Sequence, residues 1–211
     1  MADLDLIPRR GVLTFQAEGN NEPGSPYYSR RVHHPSHASG VTIGRGYDML
    51  KRKGSTVLED LKQAGVPDQD AANLAKGAGL SGASADEFVA RDAIKNIELT
   101  ELAQKNLFES TYAQYQSQAR RICSKPDVEK LYGACNWESM SVNTQDLIVD
   151  LLYRGDYSPG TRRMIQKALI SNDPTVIKEA IGKLAGVPSD RRRRRASHLE
   201  KAIEKPLLLL P

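Results

Sequence analysis

The sequence predicts an α+β protein, mainly helical, with a small antiparallel sheet near its N-terminus and one long helix near its middle. Three observations lead there. Over residues 99–122 apolar side chains recur at helical spacing: Phe108, Tyr112, Tyr115, Ala119 and Ile122 are separated by steps of four, three, four and three. Residues 19–49 are instead broken by Gly, Pro, Ser and Asn, with aromatic or β-branched pieces at Tyr27-Tyr28, Val32 and Val41-Thr42-Ile43. Beyond residue 143 one helical pattern follows another, with no internal repeat.

In chain order, Pro8 suits the first turn of a short helix whose apolar face includes Val12 and Phe15, and Gly19 suits its C-terminal stop. The sheet follows over 19–49. Gly44 and Gly46 alternate on its Thr42-bearing strand, leaving backbone that a ligand can approach closely. Two short helices are expected at about 56–64, ended by Gly65, and about 68–77, opened by Pro67-Asp68. The long helix comes next, then a loop holding Cys123, Pro126, Cys135 and Trp137. Thr144 is expected to cap a helix with the stripe Leu147, Ile148, Leu151 and Leu152. Helices at about 160–171, 174–185 and 190–204 complete the chain, the last capped by Ser189 or Asp190.

The 211 residues suit one large domain or two small lobes, and 39% hydrophobic with 27% charged residues argues against a disordered chain. No run approaches the ~18 consecutive apolar residues of a membrane span, so membrane insertion is not expected. The start, Met1-Ala2-Asp3-Leu4-Asp5, lacks the basic-then-apolar layout of a secretory signal. Synthesis in the cytoplasm is therefore expected, with delivery elsewhere left to other means. The formal charge of +4 is unevenly placed: residues 160–211 hold twelve Lys or Arg against five acids, and the rest is net acidic. A basic C-terminal end attracts anionic polymers without choosing among nucleic acid, acidic glycan and membrane surface. Cys123 and Cys135 either close a loop in an oxidising compartment or are buried bystanders.

The chemistry concentrates in Glu18-Gly19 and in Gly40-Val41-Thr42-Ile43-Gly44-Arg45-Gly46-Tyr47-Asp48, where Thr42 follows Glu18 by 24 positions. An acid ends a helix; a hydroxyl and a second acid lie on a glycine-laced strand. Hydrolysis of a glycosidic bond needs a proton donor for the leaving oxygen and a group that handles water on the opposite face of the sugar. The helix end disfavours a carboxylate anion at position 18, the direction a general acid requires.

These residues resemble the phage-type (T4-like) lysozymes: a helix ending Glu-Gly, a Thr-Ile-Gly-x-Gly strand, a long connecting helix and a helical lobe. Thr144 to Gly155 resembles their buried helix, and Arg194-Arg195 with Glu200 resembles their closing Arg-Arg-x-x-Glu helix. The resemblance spans roughly residues 8–205. It implies a single lysozyme-like catalytic domain over 1–211, with an N-terminal lobe to about 97, a linking helix at about 98–122 and a helical C-terminal lobe. The phage enzymes carry a catalytic Asp nine residues after the Glu, where this chain has Tyr27, which cannot do that work. A longer Glu-to-Thr loop with an Asp six residues past the Thr is instead similar to the pesticin-like muramidase toxins. Carried over residue by residue, Glu18 is the proton donor, Thr42 helps hold the attacking water, and Asp48 is the second carboxylate. Arg45 and Tyr47 are expected to line the cleft and bind substrate.

The resemblance implies hydrolysis of the β-1,4 bond between N-acetylmuramic acid and N-acetylglucosamine in peptidoglycan, with inversion and without cofactor or metal. Inversion predicts Glu18 and Asp48 carboxyl groups ~6.5–9.5 Å apart, against ~5–5.5 Å for retention. The expected partner is a peptidoglycan strand in the periplasm or cell wall. An antibacterial toxin or effector also implies an immunity protein and a delivery domain or secretion machine; a phage endolysin is the alternative. A non-catalytic glycan-binding module on the same scaffold is a second class, since fold does not guarantee activity. A nucleic-acid-binding helical protein is a third, resting on the arginines at 191–195. Five consecutive residues cover more than one helical turn, however, so some must point toward protein carboxylates or helix ends, and nucleic acid is not the expected partner. His33, His34 and His37 lie in a Pro- and Ser-rich turn without a nearby Cys or carboxylate ligand and are read as rim or solvent residues rather than zinc ligands. Glu22, before Pro23, lacks the helix-end setting of Glu18. Leu207 to Leu210 are read as a frayed or docked tail.

Overall fold

The computed structural model describes residues 6–204, with side chains to residue 201; the tail at Leu207 to Leu210 lies outside them. The described chain is mainly helical with one small two-stranded antiparallel sheet, as its sequence pattern requires. It divides into two compact units between Thr111 and Tyr112, within the long helix.

The first unit begins with α1 (Val12–Ala17). Pro8 lies outside this helix, which starts at Val12 after Gly11 at φ 70°, so the expected proline-led first turn does not form. The hairpin β1 (Thr42–Ile43) and β2 (Tyr47–Asp48) pairs Thr42 with Asp48 and Ile43 with Tyr47. Strand alternation sends Val41, Ile43, Tyr47 and Met49 to one face, where all are buried, and puts Thr42 and Asp48 together on the other. Gly44 and Gly46, expected to alternate along one strand that also carries Asp48, instead form the Gly44-Arg45-Gly46 turn between two strands: both hold positive φ, 63° and 81°, which lets three residues reverse the chain.

The sheet is smaller than the sequence pattern suggests. Tyr28, Arg31, His33 and Gly40 join the fold through isolated bridges to Asn20, Glu98, Thr42 and Ser81. Helices α2 (Gly54–Ala64) and α3 (Asp68–Ala75) pack on each other and bury Val57, Leu61 and Leu74 under the hairpin's apolar face. Two further helices, α4 (Gly82–Ala90) and α5 (Asp92–Lys95), close this core with Phe88 and Ile94.

The long helix α6 (Glu101–Cys123) carries Leu107 and Phe108 in the first unit and Tyr112 and Ala119 in the second, all buried. The predicted loop after it contains a helix, α7 (Pro126–Tyr132), with Pro126 at its first turn, and a 3₁₀ turn at Trp137–Ser139. Helix α8 (Val142–Tyr153) is buried on all sides from Thr144 to Leu151, and its cap is Ser141, whose hydroxyl accepts from Thr144 N–H, rather than Thr144 itself. Around it stand α9 (Pro159–Ser171), α10 (Pro174–Gly182) and α11 (Ser189–Glu204).

The arginine run divides as its helical spacing demands. Arg191 and Arg195, one turn apart, are buried and converge on Asp150 of α8, whose carboxylate is fully enclosed; the closest contacts are 2.7 Å from each guanidinium. Arg195 also meets Asp156 at 2.7 Å, and Arg154 meets the same carboxylate at 2.5 Å. Arg192, Arg193 and Arg194 are exposed. Two of the five arginines therefore serve the second unit's interior.

Candidate active site

Glu18 is the residue at which α1 stops: its N–H still bonds to Thr14 O at 3.0 Å, while its own φ and ψ have left the helix. It is half-buried. Gly19 follows at φ 146° with Ser29 and the Tyr27 carbonyl so close that a Cβ would lie 2.7 Å from Ser29 Cβ. Only glycine lets the chain turn past the 27–29 segment here, so the acid at the helix end and the glycine after it form one device.

Arg45, at the hairpin tip, fastens that device to the sheet. Its guanidinium stacks on Phe15 at 4.4 Å, donates through Nη1 to Gly19 O, and through Nη2 to Asn21 Oδ1 at 2.9 Å. Burial pulls the guanidinium down to about 10, opposed by the carboxylates of Glu101 and Glu18, which stabilise its charge. The Glu18 carboxylate therefore senses a cation from the hairpin as well as the helix end.

A buried polar chain continues from this point. Asn21 Oδ1 also accepts from Gln104 Nε2 at 2.7 Å, and Gln104 Oε1 accepts from Ser29 Oγ at 2.8 Å. Gln104 is fully enclosed. It lies one turn before Phe108 on the buried face of α6, and a polar residue on an otherwise apolar stripe was the available sequence signal. Neither Asn21 nor Ser29 carried one, because their partner Gln104 lies 83 and 75 residues away, respectively.

Thr42 and Asp48 are brought together as cross-strand neighbours, with side chains on the same side of the hairpin. The Thr42 hydroxyl donates to Gly40 O at 3.1 Å. The Asp48 carboxylate is half-exposed and accepts from Leu50 N–H at 2.7 Å and from Gly40 N–H at 3.2 and 3.3 Å. These donors fix the carboxylate plane, and the remaining lone pairs are open to an external proton. The backbone of Thr42 is held from its other edge by His33, through bonds of 2.8 and 2.9 Å. The strand that bears the hydroxyl is thus clamped on both sides.

Arg45 and Tyr47, expected to line a substrate cleft, are both buried. Arg45 is 6% exposed and binds the chain's own carbonyls. Tyr47 is 1% exposed, faces the apolar core, and donates its hydroxyl to Asp60 at 2.6 Å beneath Arg52, which lies 4.3 Å from its ring centroid. Burial and the Asp60 contact push this phenol well above its ordinary range. Alternation puts Tyr47 on the core face with Ile43; on the other face Asp48 is half-exposed, while Thr42 is itself only 4% exposed. Tyr27, where the phage enzymes have an Asp, is 72% exposed, and Glu22 is exposed in the same loop.

Of the three histidines, His34 pairs through Nδ1 with Asp86 at 2.8 Å and through Nε2 with Ser39 O at 3.2 Å, and His37 lies edge-on to it. Among the described residues no group of three His, Cys, Asp or Glu side chains is arranged to hold a metal ion.

No curated protein matches the sequence. A domain family does match, over residues 11–196, a span that takes in α1, the hairpin and the helices through the arginine run. On that match the chain belongs to the family described as Domain of unknown function (DUF8812).

Proposed function

We propose that the chain is a muramidase that hydrolyses the β-1,4 bond between N-acetylmuramic acid and N-acetylglucosamine, with inversion, as an antibacterial toxin or effector domain acting on the periplasmic cell wall. One observation carries the reading. A helix-terminal acid, Glu18, precedes the Gly19 carbonyl that Arg45 ties to a hairpin, and one face of that hairpin pairs a buried hydroxyl, Thr42, with a half-exposed carboxylate, Asp48.

The hydrogen bonds around the pair give each group a defined part. The Thr42 proton is directed to Gly40 O, so its oxygen acts toward water as an acceptor. Asp48 is anchored by the Leu50 and Gly40 amides and accepts from the same water. A water molecule that donates one hydrogen to each has its lone pair free for the anomeric carbon. Glu18 protonates the departing glycosidic oxygen, the C–O bond breaks, and Asp48 takes the proton released by the attacking water. No charge is left on either product, and the enzyme regains its starting form when a proton returns from Asp48 to Glu18 through solvent.

Clearing of purified peptidoglycan by the wild type, Glu18→Gln and Asp48→Asn tests the reading. Loss of clearing in both variants, with folding intact, supports it. Equal clearing by Glu18→Gln rejects it. Wild-type protein that binds the sacculus without cutting it would make this a glycan-binding module.

A further inference from the structure

We propose that Cys123 and Cys135 are the site of a reversible intrachain disulfide, formed when the chain meets an oxidising compartment. This inference lies entirely in the second unit and does not depend on the muramidase reading.

The fold brings the two thiols together by a definite route. Cys123 is the last residue of α6; Pro126 starts α7 almost at once, and Gly133, at φ 105°, lets the chain turn back after Tyr132. Cys135 then reaches the end of α6, where the two side chains interact, both buried and both free thiols. Nothing in the sequence spacing requires this contact.

The surroundings of Cys123 differ from those of an inert core cysteine. Besides Cys135, its sulfur touches the Tyr157 hydroxyl at 3.3 Å and the Gln166 side-chain amide at 3.9 Å, with both partners buried. The Tyr157 hydroxyl is itself held by Gln166 Oε1 at 2.5 Å. That bond uses the one Tyr157 hydrogen, so the Gln166 amide supplies the polar hydrogen directed at the sulfur, and such a donor stabilises the thiolate, the form that attacks disulfides. The Cys135 contact, opposed by burial, lowers the pKa of the Cys123 thiol, and the same contact together with burial raises that of Cys135. Cys123, with the Gln166 amide directed at its sulfur, is the attacking thiol and Cys135 the resolving one.

The oxidant is a disulfide-bearing small molecule or protein. The Cys123 thiolate attacks one of its sulfurs, forming a mixed disulfide and releasing one thiolate. Cys135, losing its proton to solvent, attacks the Cys123 sulfur, closes the intrachain bond and releases the second thiolate. Two thiols are oxidised and one disulfide is reduced to two thiols. The segment at 133–136 has no helix or strand to disrupt, so it can supply both the opening for the oxidant and the final approach of the sulfurs to ~2.05 Å.

The test uses the whole chain, purified reduced and then equilibrated with oxidised and reduced glutathione at a series of ratios. Intact mass and alkylation after unfolding report the thiols. The expected result is loss of two hydrogens, protection of both cysteines from alkylation, and reversal by dithiothreitol. Closing so short a loop should raise Tm by roughly 6–12 °C in the oxidised sample. Cys135→Ser should show no such rise, and its Cys123 should instead be capped by glutathione. Two thiols still alkylated at the most oxidising ratio, glutathione capping alone in the wild type, or a bond between two chains would overturn the proposal. The wild-type mass measurement stands without the variant should Cys135→Ser fail to fold.

Discussion

Asp48 has two separable tasks, and two substitutions distinguish them. Its carboxylate accepts from Leu50 N–H at 2.7 Å and shares a longer bond from Gly40 N–H, and in Asp48→Ala both donors lose their acceptor. A hydrogen bond to a charged group contributes about 1.5–3 kcal/mol. The Gly40 contact is long and divided between two oxygens, and the carboxylate is half-exposed, so the sum belongs near about 2–4 kcal/mol. For a chain of this size that lowers Tm by roughly 5–15 °C. Asp48→Asn keeps one carbonyl oxygen for the short Leu50 bond and should forfeit only about 1 kcal/mol, or roughly 2–4 °C. Catalysis responds in the other order, since the amide cannot take a proton from water. Removal of a general base lowers turnover by ~10²–10⁴-fold, so the stable Asn variant should be nearly inactive. Calorimetry and a peptidoglycan-clearing assay on the same samples read both effects. Asn activity within about tenfold of wild type refutes the base role. An Ala variant as stable as wild type refutes the anchoring.

Three other perturbations follow from the geometry. Asp150→Asn leaves Arg191 and Arg195 buried beside a neutral amide, which should remove about 3–5 kcal/mol; replacing all three side chains with apolar ones of similar volume should restore most of the loss in urea titrations. Gly19→Ala puts a Cβ 2.7 Å from Ser29 Cβ at a φ of 146°, so it should cost about 1–3 kcal/mol and lower activity by moving Glu18, whereas a wild-type denaturation midpoint would refute the close approach. The Asp86 hydrogen bond, aided by Ser39, raises the His34 pKa despite desolvation. The resulting stability is fully present below the unfolded value of ~6.5 and is lost as pH rises through the higher folded value. Tm of wild type relative to His34→Gln should accordingly be greatest in mild acid and shrink toward alkaline pH; a difference that grows with pH contradicts the pairing.

What the sequence revealed follows the range of the interaction concerned. The α6 stripe is a local pattern, and its predicted bounds lie within two residues of the helix. That some arginines of the 191–195 run face protein carboxylates was legible as a necessity of helical geometry, though neither the identity of Arg191 and Arg195 nor that of Asp150 was. The pairing of Thr42 with Asp48 was not legible, because Gly44 and Gly46 read as strand positions, whereas their positive φ makes them the turn that fixes the register of two short strands. Helix α4 was missed because its sequence is mostly small and polar, with Ala85 and Phe88 its only fully buried residues. Helix α7 was missed although Pro126 stood in a position that starts helices, since the surrounding cysteines and glycine suggested a loop. The strands expected at Tyr27-Tyr28 and Val32 dissolve into single bridges, because their backbone groups find partners as distant as Glu98. The buried position of Arg45 could not be read from one residue in a turn. It depends on Phe15, Gly19 and Asn21, which come into place only when α1 packs beside the hairpin.

Muropeptides released by wild type and by Glu18→Gln, identified by mass spectrometry and by the anomeric configuration of the fresh products, bear on the proposed chemistry without an intermediary. Wild type should liberate fragments with N-acetylmuramic acid at the new reducing end, initially as the inverted anomer, and Glu18→Gln should release none above background. Fragments ending in another sugar or in a cut peptide, or release by Glu18→Gln at the wild-type rate, would contradict the assignment of Glu18, Thr42 and Asp48 as a glycosidase site.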